Sequence, residues 1–355
     1  NKGIGQIASD SLPHNRFERY ERQIRFRPIG EEGQERLSQK RVLIVGMGAL
    51  GTISASHLVR AGIGGVRIAD RDYVEWSNLH RQMLYDEDDA REALPKAIAA
   101  ERKLKQINSE VEIEAIVADV TPQNARSLVQ GIDLVLDGTD NFETRFLLND
   151  LCFSARIPYI YGGIVGSRAM CAGFVPGETM CLRCFISPPE GEVETCESEG
   201  IIGPVPGITA SLQAAEALKY LTGSPQAMKR SVTYIDLWMN SFKELAFGEP
   251  SPHCPVCAKG EYPALREYEQ QGVHAVKMCG RNTVQLKHPA ALDLDDMAAR
   301  MEPQLNIYRN PFLLKVFPDN ELTIVLFADG RLLVQGTEDI ARAEAAYSRY
   351  IAPYC

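Results

Sequence analysis

Apolar and polar positions follow two alternating periods through the first half of the chain. Residues 42–45, Val-Leu-Ile-Val, form a short apolar run closed by a glycine, the pattern of a strand buried on both faces. A glycine-punctuated turn and a helix over about 49–61 come next, and 66–70 read as a second strand. Behind Pro95, the residues Ala97, Ala100, Leu104 and Ile107 recur at spacings of three and four with Lys and Arg between them, which predicts an amphipathic helix opened by proline. Residues 111–117 alternate like a strand, 132–137 read as another, a helix spans about 142–155, and 158–161 is a short strand. Strands alternating with helices imply parallel pairing through right-handed crossovers. The expected class is α/β, a doubly wound and mostly parallel Rossmann-like sheet.

Beyond this point the pattern changes. Residues 168–175 read as a strand, 187–207 as a loop rich in Pro, Gly and Glu, 208–221 as a helix, and 232–237 and 242–245 as strands. From about Leu265 a smaller α+β unit is expected, with strands at 312–316, 323–327 and 332–335, the last two joined through Asp329-Gly330, and a helix over 337–350. The division predicted is an extended or disordered stretch over 1–15, a main unit over 16–262 and a small unit over 265–355.

Composition narrows the classes. With 355 residues, 45% of them hydrophobic, and a net charge of −9, the chain reads as an acidic globular protein of about two domains, a poor candidate for nucleic-acid binding. The longest apolar stretch, 42–50, is interrupted by glycines and falls short of a membrane span of about 20 residues. Nine cysteines, four of them in two CxxC pairs, suit a metal site in a reducing compartment, so a cytoplasmic location is expected.

Several residues carry candidate chemistry. Gly46-Met-Gly48-Ala49-Leu-Gly51 joins a strand to a helix, where glycines permit a tight turn and close approach of a phosphate to the helix N-terminus. Asp70, 19 residues beyond Gly51 at a strand end, suits ribose hydroxyls. Ser77-Asn78-Leu-His-Arg81-Gln follows, and Lys96 opens the next helix. A lysine in a first helical turn opposes the helix dipole unless an anion sits there, although a solvated lysine would need no such explanation. Asp140-Asn141 follows the fourth strand; an aspartate there suits Mg²⁺ against phosphate oxygens, or simply caps the next helix. Cys181, Cys184, Cys254 and Cys257 make a 2+2 set with the ligand count of closed, structural zinc, against the alternative of two redox pairs. Cys152 and Cys171 fall inside predicted elements and should be packed; Trp76 and Trp238 are expected to pack or to line the rim of the site.

Taken together, these residues resemble the ThiF/MoeB family, bacterial relatives of ubiquitin-activating enzymes. The likeness runs from Arg16 to about Gly260 through RYERQI, VGMGALG, Asp70, SNLHRQ, Pro95-Lys96, GTDN and both cysteine pairs. The resemblance implies ATP-dependent adenylation of the C-terminal glycine carboxylate of a ubiquitin-like sulfur carrier protein, ahead of thiocarboxylate formation for thiamine thiazole. The equivalent step of molybdopterin biosynthesis is the alternative. It further implies that the glycine loop and Ala49 approach ATP, and that Asp70 holds the ribose. Ser77, Asn78, Arg81 and Lys96 would serve the phosphates, and Asp140, beside Asn141, would hold Mg²⁺. Arg22 matches an arginine that reaches into the other subunit's site, which makes a homodimer the expected unit.

Cys196, in Glu194-Thr-Cys196-Glu197, aligns with a cysteine that some relatives use for covalent sulfur handling, though its acidic neighbours disfavour a thiolate. Cys279 lies too early in the C-terminal unit for a sulfurtransferase loop, so a separate sulfur donor is expected. The unit resembles instead the short extension of ThiF-like enzymes in Gram-positive bacteria. A dinucleotide-dependent oxidoreductase would also accommodate the glycine loop and Asp70, but leaves Arg81, Lys96 and the cysteines without a role. A non-catalytic scaffold would not need the phosphate site. An ATP-dependent tRNA-base cyclase is chemically close, but the acidic charge counts against it. No nucleic-acid or membrane partner is expected.

Overall fold

A computed structural model of the chain describes residues 17–186, 199–266, 275–278 and 282–355. The apolar run at 42–45 lies in the interior of an eight-stranded sheet. Its strands are β1 (Arg41–Val45), β2 (Gly65–Asp70), β3 (Glu112–Val117), β4 (Leu134–Asp137), β5 (Tyr159–Val165), β6 (Arg168–Phe174), β7 (Ser231–Asp236) and β8 (Ser241–Ala246). Their order is β3-β2-β1-β4-β5-β6-β7-β8. The first five strands pair in parallel, as expected, and β6, β7 and β8 extend the sheet antiparallel.

The β1 run is apolar throughout because each face meets its own core. Val42 and Ile44 pack with Leu58 of the helix Ala49–Ala61, Ala100 of Lys96–Ile107 and Leu221 of Pro204–Leu221. Leu43 and Val45 pack on the other side with Phe146 and Leu151 of the helix Phe142–Ala155. The chain runs outward from β1 through β2 to β3, then returns to place β4 on the other side of β1. The direction of winding therefore reverses between β1 and β4, where sheets of this kind open a crevice at their carboxyl ends.

Several boundaries differ from the sequence reading. The helix predicted from 208 begins at Pro204, because Pro204 and Pro206 occupy its first turn, where a missing N–H costs no helical hydrogen bond. Strand β5 continues to Val165 instead of ending at 161, since its two glycines pair with β6 residues.

A second sheet has six antiparallel strands. They are β9 (Ala275–Met278), β10 (Thr283–Lys287), β11 (Asn306–Arg309), β12 (Leu313–Phe317), β13 (Thr323–Phe327) and β14 (Arg331–Gln335), in the order β11-β12-β13-β14-β10-β9. The expected hairpin through Asp329-Gly330 joins β13 to β14. The helices Leu294–Met301 and Ile340–Tyr350 cover one face of this sheet. Its opposite face meets Tyr73 and Ala93 of the larger unit. Among the described residues no helix is long and apolar enough to cross a membrane.

Candidate active site and metal centre

The register aligns Val45 with Ala69 and with Asp137, so β1, β2 and β4 end level and their following turns meet. Gly46 takes φ +87°, and a Cβ there would lie 2.6 Å from the Gly138 carbonyl oxygen. Conversely, a Cβ on Gly51 would sit 1.9 Å from the Gly46 oxygen, and one on Gly138 would sit 2.3 Å from it. Three glycines are therefore required where the glycine loop, the helix it starts and the β4 turn close on one another. The helix Ala49–Ala61 then begins at Gly48 with no side-chain cap and no acidic residue in its first turn, leaving its N–H groups available to an anion.

Asp70 is buried and accepts from the backbone N–H of Met47 (2.6 Å) and of Asp72 (2.6 Å). Burial pushes its carboxyl above the usual range, while Lys96 acts in the opposite direction. A carboxylate offers about four acceptor positions, so the two bonds to the loop leave room for ribose hydroxyls.

Lys96 is not the solvated lysine that the sequence left open. Only 5% exposed, it stands in the first turn of its helix with its Nζ 3.4 Å from Asp72 Oδ2. The turn has no side-chain cap and no acidic residue. Tyr85 connects the two uncapped helix starts, its hydroxyl lying 2.8 Å from the Met47 carbonyl and 3.1 Å from that of Lys96. Gln82 is also buried, with its Oε1 unpartnered and its amide nitrogen beside Gly48. Sequence reasoning missed Asp72, Tyr85 and Gln82 as site residues. The Asp-x-Asp spacing of 70 and 72 was the available signal for the first.

Asn78 is buried, and its Oδ1 accepts from the Glu75 N–H at 3.0 Å. Arg81 donates to the Ser77 carbonyl at 2.8 Å, with Ser77 itself exposed. Asp140 is exposed beyond the end of β4 and does not cap the following helix. That position belongs to Asn141, whose Oδ1 accepts from Thr144 N–H at 2.9 Å. Behind them Asp137 is buried with Tyr159, Thr139 and Arg145 around it, and burial raises its carboxyl.

Arg22 is exposed at the opposite end of the helix Ala49–Ala61, because the neighbouring Gln23 donates to the Ala61 carbonyl at 2.9 Å. Thirteen residues at about 1.5 Å each separate that point from the glycine loop by roughly 20 Å. Trp76 lies exposed beside Asn78, and Trp238, 75% exposed, packs into no core. Trp238, Met239, Phe242 and Leu245 are each exposed on the β7–β8 hairpin at the edge of the sheet, with Phe242 and Leu245, paired to Ile235 and Val232, on opposite faces.

The four cysteines of the 2+2 set converge. Their sulfurs all lie within 4.8 Å of one another, with Cys181 3.5 Å from Cys254 and Cys184 3.3 Å from Cys257. Tetrahedral zinc with Zn–S bonds of about 2.3 Å sets sulfurs about 3.8 Å apart, so this donor set fits the metal. Burial and the adjoining thiols push Cys181 up and Cys257 up to about 12, an arrangement that a dication would relieve. The knuckles are anchored from the helix Phe142–Ala155. Asn149 accepts from the Leu182 N–H at 2.9 Å, and Asp150 takes two bonds from Arg183 and one from the Ala264 N–H. Cys152 and Cys171 are buried, as expected. Cys196 and Cys279 lie outside the described residues.

A sheet wound this way, with a glycine loop ahead of an uncapped helix, a buried lysine and a four-cysteine cluster, defines a Rossmann-like α/β protein with a crevice at its carboxyl edge. The chain belongs to the ThiF family, whose model matches residues 20–256. It is 45% identical over 338 residues to the sulfur carrier protein ThiS adenylyltransferase of Bacillus subtilis, covering 94% of this chain and 99% of that protein. It is 39% identical over 258 residues to a sulfur carrier protein adenylyltransferase of Thermus thermophilus, covering 71% and 93% respectively. Among solved structures, Escherichia coli MccB crystallised with ATP superimposes with a TM-score of 0.53 at 26% identity, over 64% of this chain and 69% of that one.

Proposed function

We propose that this chain adenylates the C-terminal glycine carboxylate of a ubiquitin-like sulfur carrier protein with ATP, releasing pyrophosphate, ahead of thiocarboxylate formation for thiamine thiazole. The observation that carries the reading is the match along nearly the whole length of the Bacillus subtilis ThiS adenylyltransferase, C-terminal unit included. The site supports it with two uncapped helix N-termini and a buried lysine facing the same crevice.

The chemistry fits those groups. A carboxylate is already ionised at neutral pH, so attack on the α-phosphorus needs no protein base. The difficulty is bringing two anions together and carrying away pyrophosphate, which fixed cations and N–H dipoles ease as charge develops. In this reading the loop from Gly46 through Gly48 and Ala49 to Gly51 receives the phosphates, Asp70 the ribose, and Ser77, Asn78, Arg81 and Lys96 the triphosphate. Asp140, with Asn141 beside it, offers hard carboxylate oxygen suited to Mg²⁺, which neutralises phosphate charge when bound. Arg22 is too far from its own glycine loop and would serve the other subunit of a homodimer. Zinc on Cys181, Cys184, Cys254 and Cys257 would be structural, since four thiolates leave no open position. The adjacent exposed residues Trp238 and Met239, at the turn of the β7–β8 hairpin, suit a protein partner. Sulfur comes from a separate donor in the cytoplasm. Residues 16–262 form the adenylation unit and 265–355 the smaller one.

The test is ATP–pyrophosphate exchange with purified carrier proteins. Exchange should require a carrier with a free C-terminal glycine. Its absence with every ubiquitin-like carrier, together with saturable NADH binding, would return the glycine loop to the oxidoreductase reading.

A further inference from the structure

Two short backbone segments place Asp72 and Lys96. The Val74 N–H donates to the Leu94 carbonyl and the Lys96 N–H to the Asp72 carbonyl, both at 2.8 Å, with Tyr73 and Pro95 facing each other between. Just before this ladder Ala93 is buried at φ +46°, a conformation that a non-glycine residue keeps only when its surroundings impose it.

Those surroundings belong to the six-stranded sheet. Leu313, Val325, Phe327 and Leu333 form one apolar cluster with Tyr73 and Ala93. Tyr308 and Asn310 donate to the Glu92 carbonyl at 3.0 and 2.8 Å, and Asn310 also reaches the Ala93 carbonyl at 3.3 Å. The other segment is held from β14. Arg331, 1% exposed and paired with Asp329 at 2.7 Å, donates to the Arg71 carbonyl at 2.9 Å. Gln335 donates to the Tyr73 hydroxyl at 3.0 Å, which in turn lies 3.1 Å from Glu75; the Glu75 N–H then donates to Asn78. An adhesive interface would need only the apolar cluster. Here, apart from Gln285 donating to Asp119 at 3.1 Å, the polar contacts named fall on the two short segments that carry Asp72 and Lys96, most of them on backbone carbonyls.

We infer that the C-terminal sheet acts as a clamp on the nucleotide site, with Tyr308, Asn310, Arg331 and Gln335 as positioning residues for Asp72, Lys96 and Asn78. This inference rests on the ATP-dependent reading above. It assigns the smaller unit a part in adenylation without contact with substrate.

The test uses the full chain carrying Tyr308→Phe alone and with Asn310→Ala. The double variant should raise the KM for ATP in carrier-dependent exchange about tenfold, the scale of one or two hydrogen bonds. The KM for the carrier should stay unchanged, and amides of residues 72–78 and 92–96 should lose protection from hydrogen exchange. Adding Ala93→Gly should restore most of the ATP affinity, because glycine holds a positive φ without strain. A folded double variant with wild-type KM for ATP and wild-type protection overturns the clamp. A purely structural loss would lower the active fraction and leave that KM alone. Should the double variant fail to fold, Tyr308→Phe removes one hydroxyl and carries the same comparison, with a two- to threefold effect expected. Failure of the wild type to catalyse exchange would refute adenylation instead, while calorimetric ATP binding and amide protection still judge the clamp.

Discussion

Replacing Lys96 with methionine removes a charge while keeping most of the side-chain volume. The ammonium lies 3.4 Å from Asp72 Oδ2, and at an effective dielectric of about 20 that separation corresponds to roughly 5 kcal/mol of gross attraction. A phosphate oxygen at a similar distance gains a comparable amount, but Asp72 competes for the same cation, so only the difference appears in the rate. Removing one such electrostatic group typically costs about 10²–10³ in kcat, or 2.7–4 kcal/mol. Lys96→Met is therefore expected to lower carrier-dependent pyrophosphate exchange by about 10²-fold or more at saturating carrier. The fold should hold, because the helix keeps its uncapped start at Pro95 and the Tyr85 hydroxyl contacts a backbone carbonyl. Exchange kinetics beside a thermal melt separate the two effects. A well-folded Lys96→Met protein within fivefold of wild-type kcat/KM would refute the placement of this lysine on the triphosphate.

Three further outcomes are expected. Freshly purified protein should carry one zinc per chain, and Cys181→Ser should lose it with a fall in melting temperature, since structural zinc contributes directly to folding; a metal-free wild type would rule the site out. Cys196→Ser should keep pyrophosphate exchange within a few-fold of wild type, a change under about 1 kcal/mol, because no thiol enters the adenylation step; collapse of exchange in a folded, zinc-loaded variant would show otherwise. His57, 3.2 Å from Ser211, is depressed below its usual 6.5 by burial and then by Arg60. A depressed histidine adds stability that is complete above 6.5 and lost as pH falls through its folded value, so His57→Asn should flatten the decline in melting temperature from about pH 7 to about pH 5. Parallel declines in the two proteins would exclude that cause.

Local patterns carried the parallel half of the sheet. The run at 42–45 and the spacing through Ala97 and Ile107 depend on neighbours a few residues away, and both elements lie where the pattern put them. The cysteine pairs were legible for the same reason, since CxxC spacing alone sets two ligands side by side. Asp140 and Asn141 could not be separated by type. The cap went to the residue with extended backbone directly before the helix, at φ −130° and ψ 148°. The counter-ion of Lys96 is 24 residues away and was set by the meeting of two loops, which no periodicity reports. Of the two places expected for Trp238, packing in a core is excluded, because it stands exposed on an edge hairpin. The contacts of Arg331 with Arg71 span 260 residues and follow from how two sheets meet.

The meeting of Gly46, Gly51 and Gly138 limits how the sequence can drift. A mutation that enlarges a residue in a core can often be rescued by trimming its neighbour. Here each obstructing atom within 2.6 Å is a backbone oxygen of another glycine, so there is nothing left to trim. Suppressor selections started from Gly51→Ala should therefore return reversion alone. Of all the residues around the crevice, these three should be the slowest to change in any lineage that keeps the chemistry.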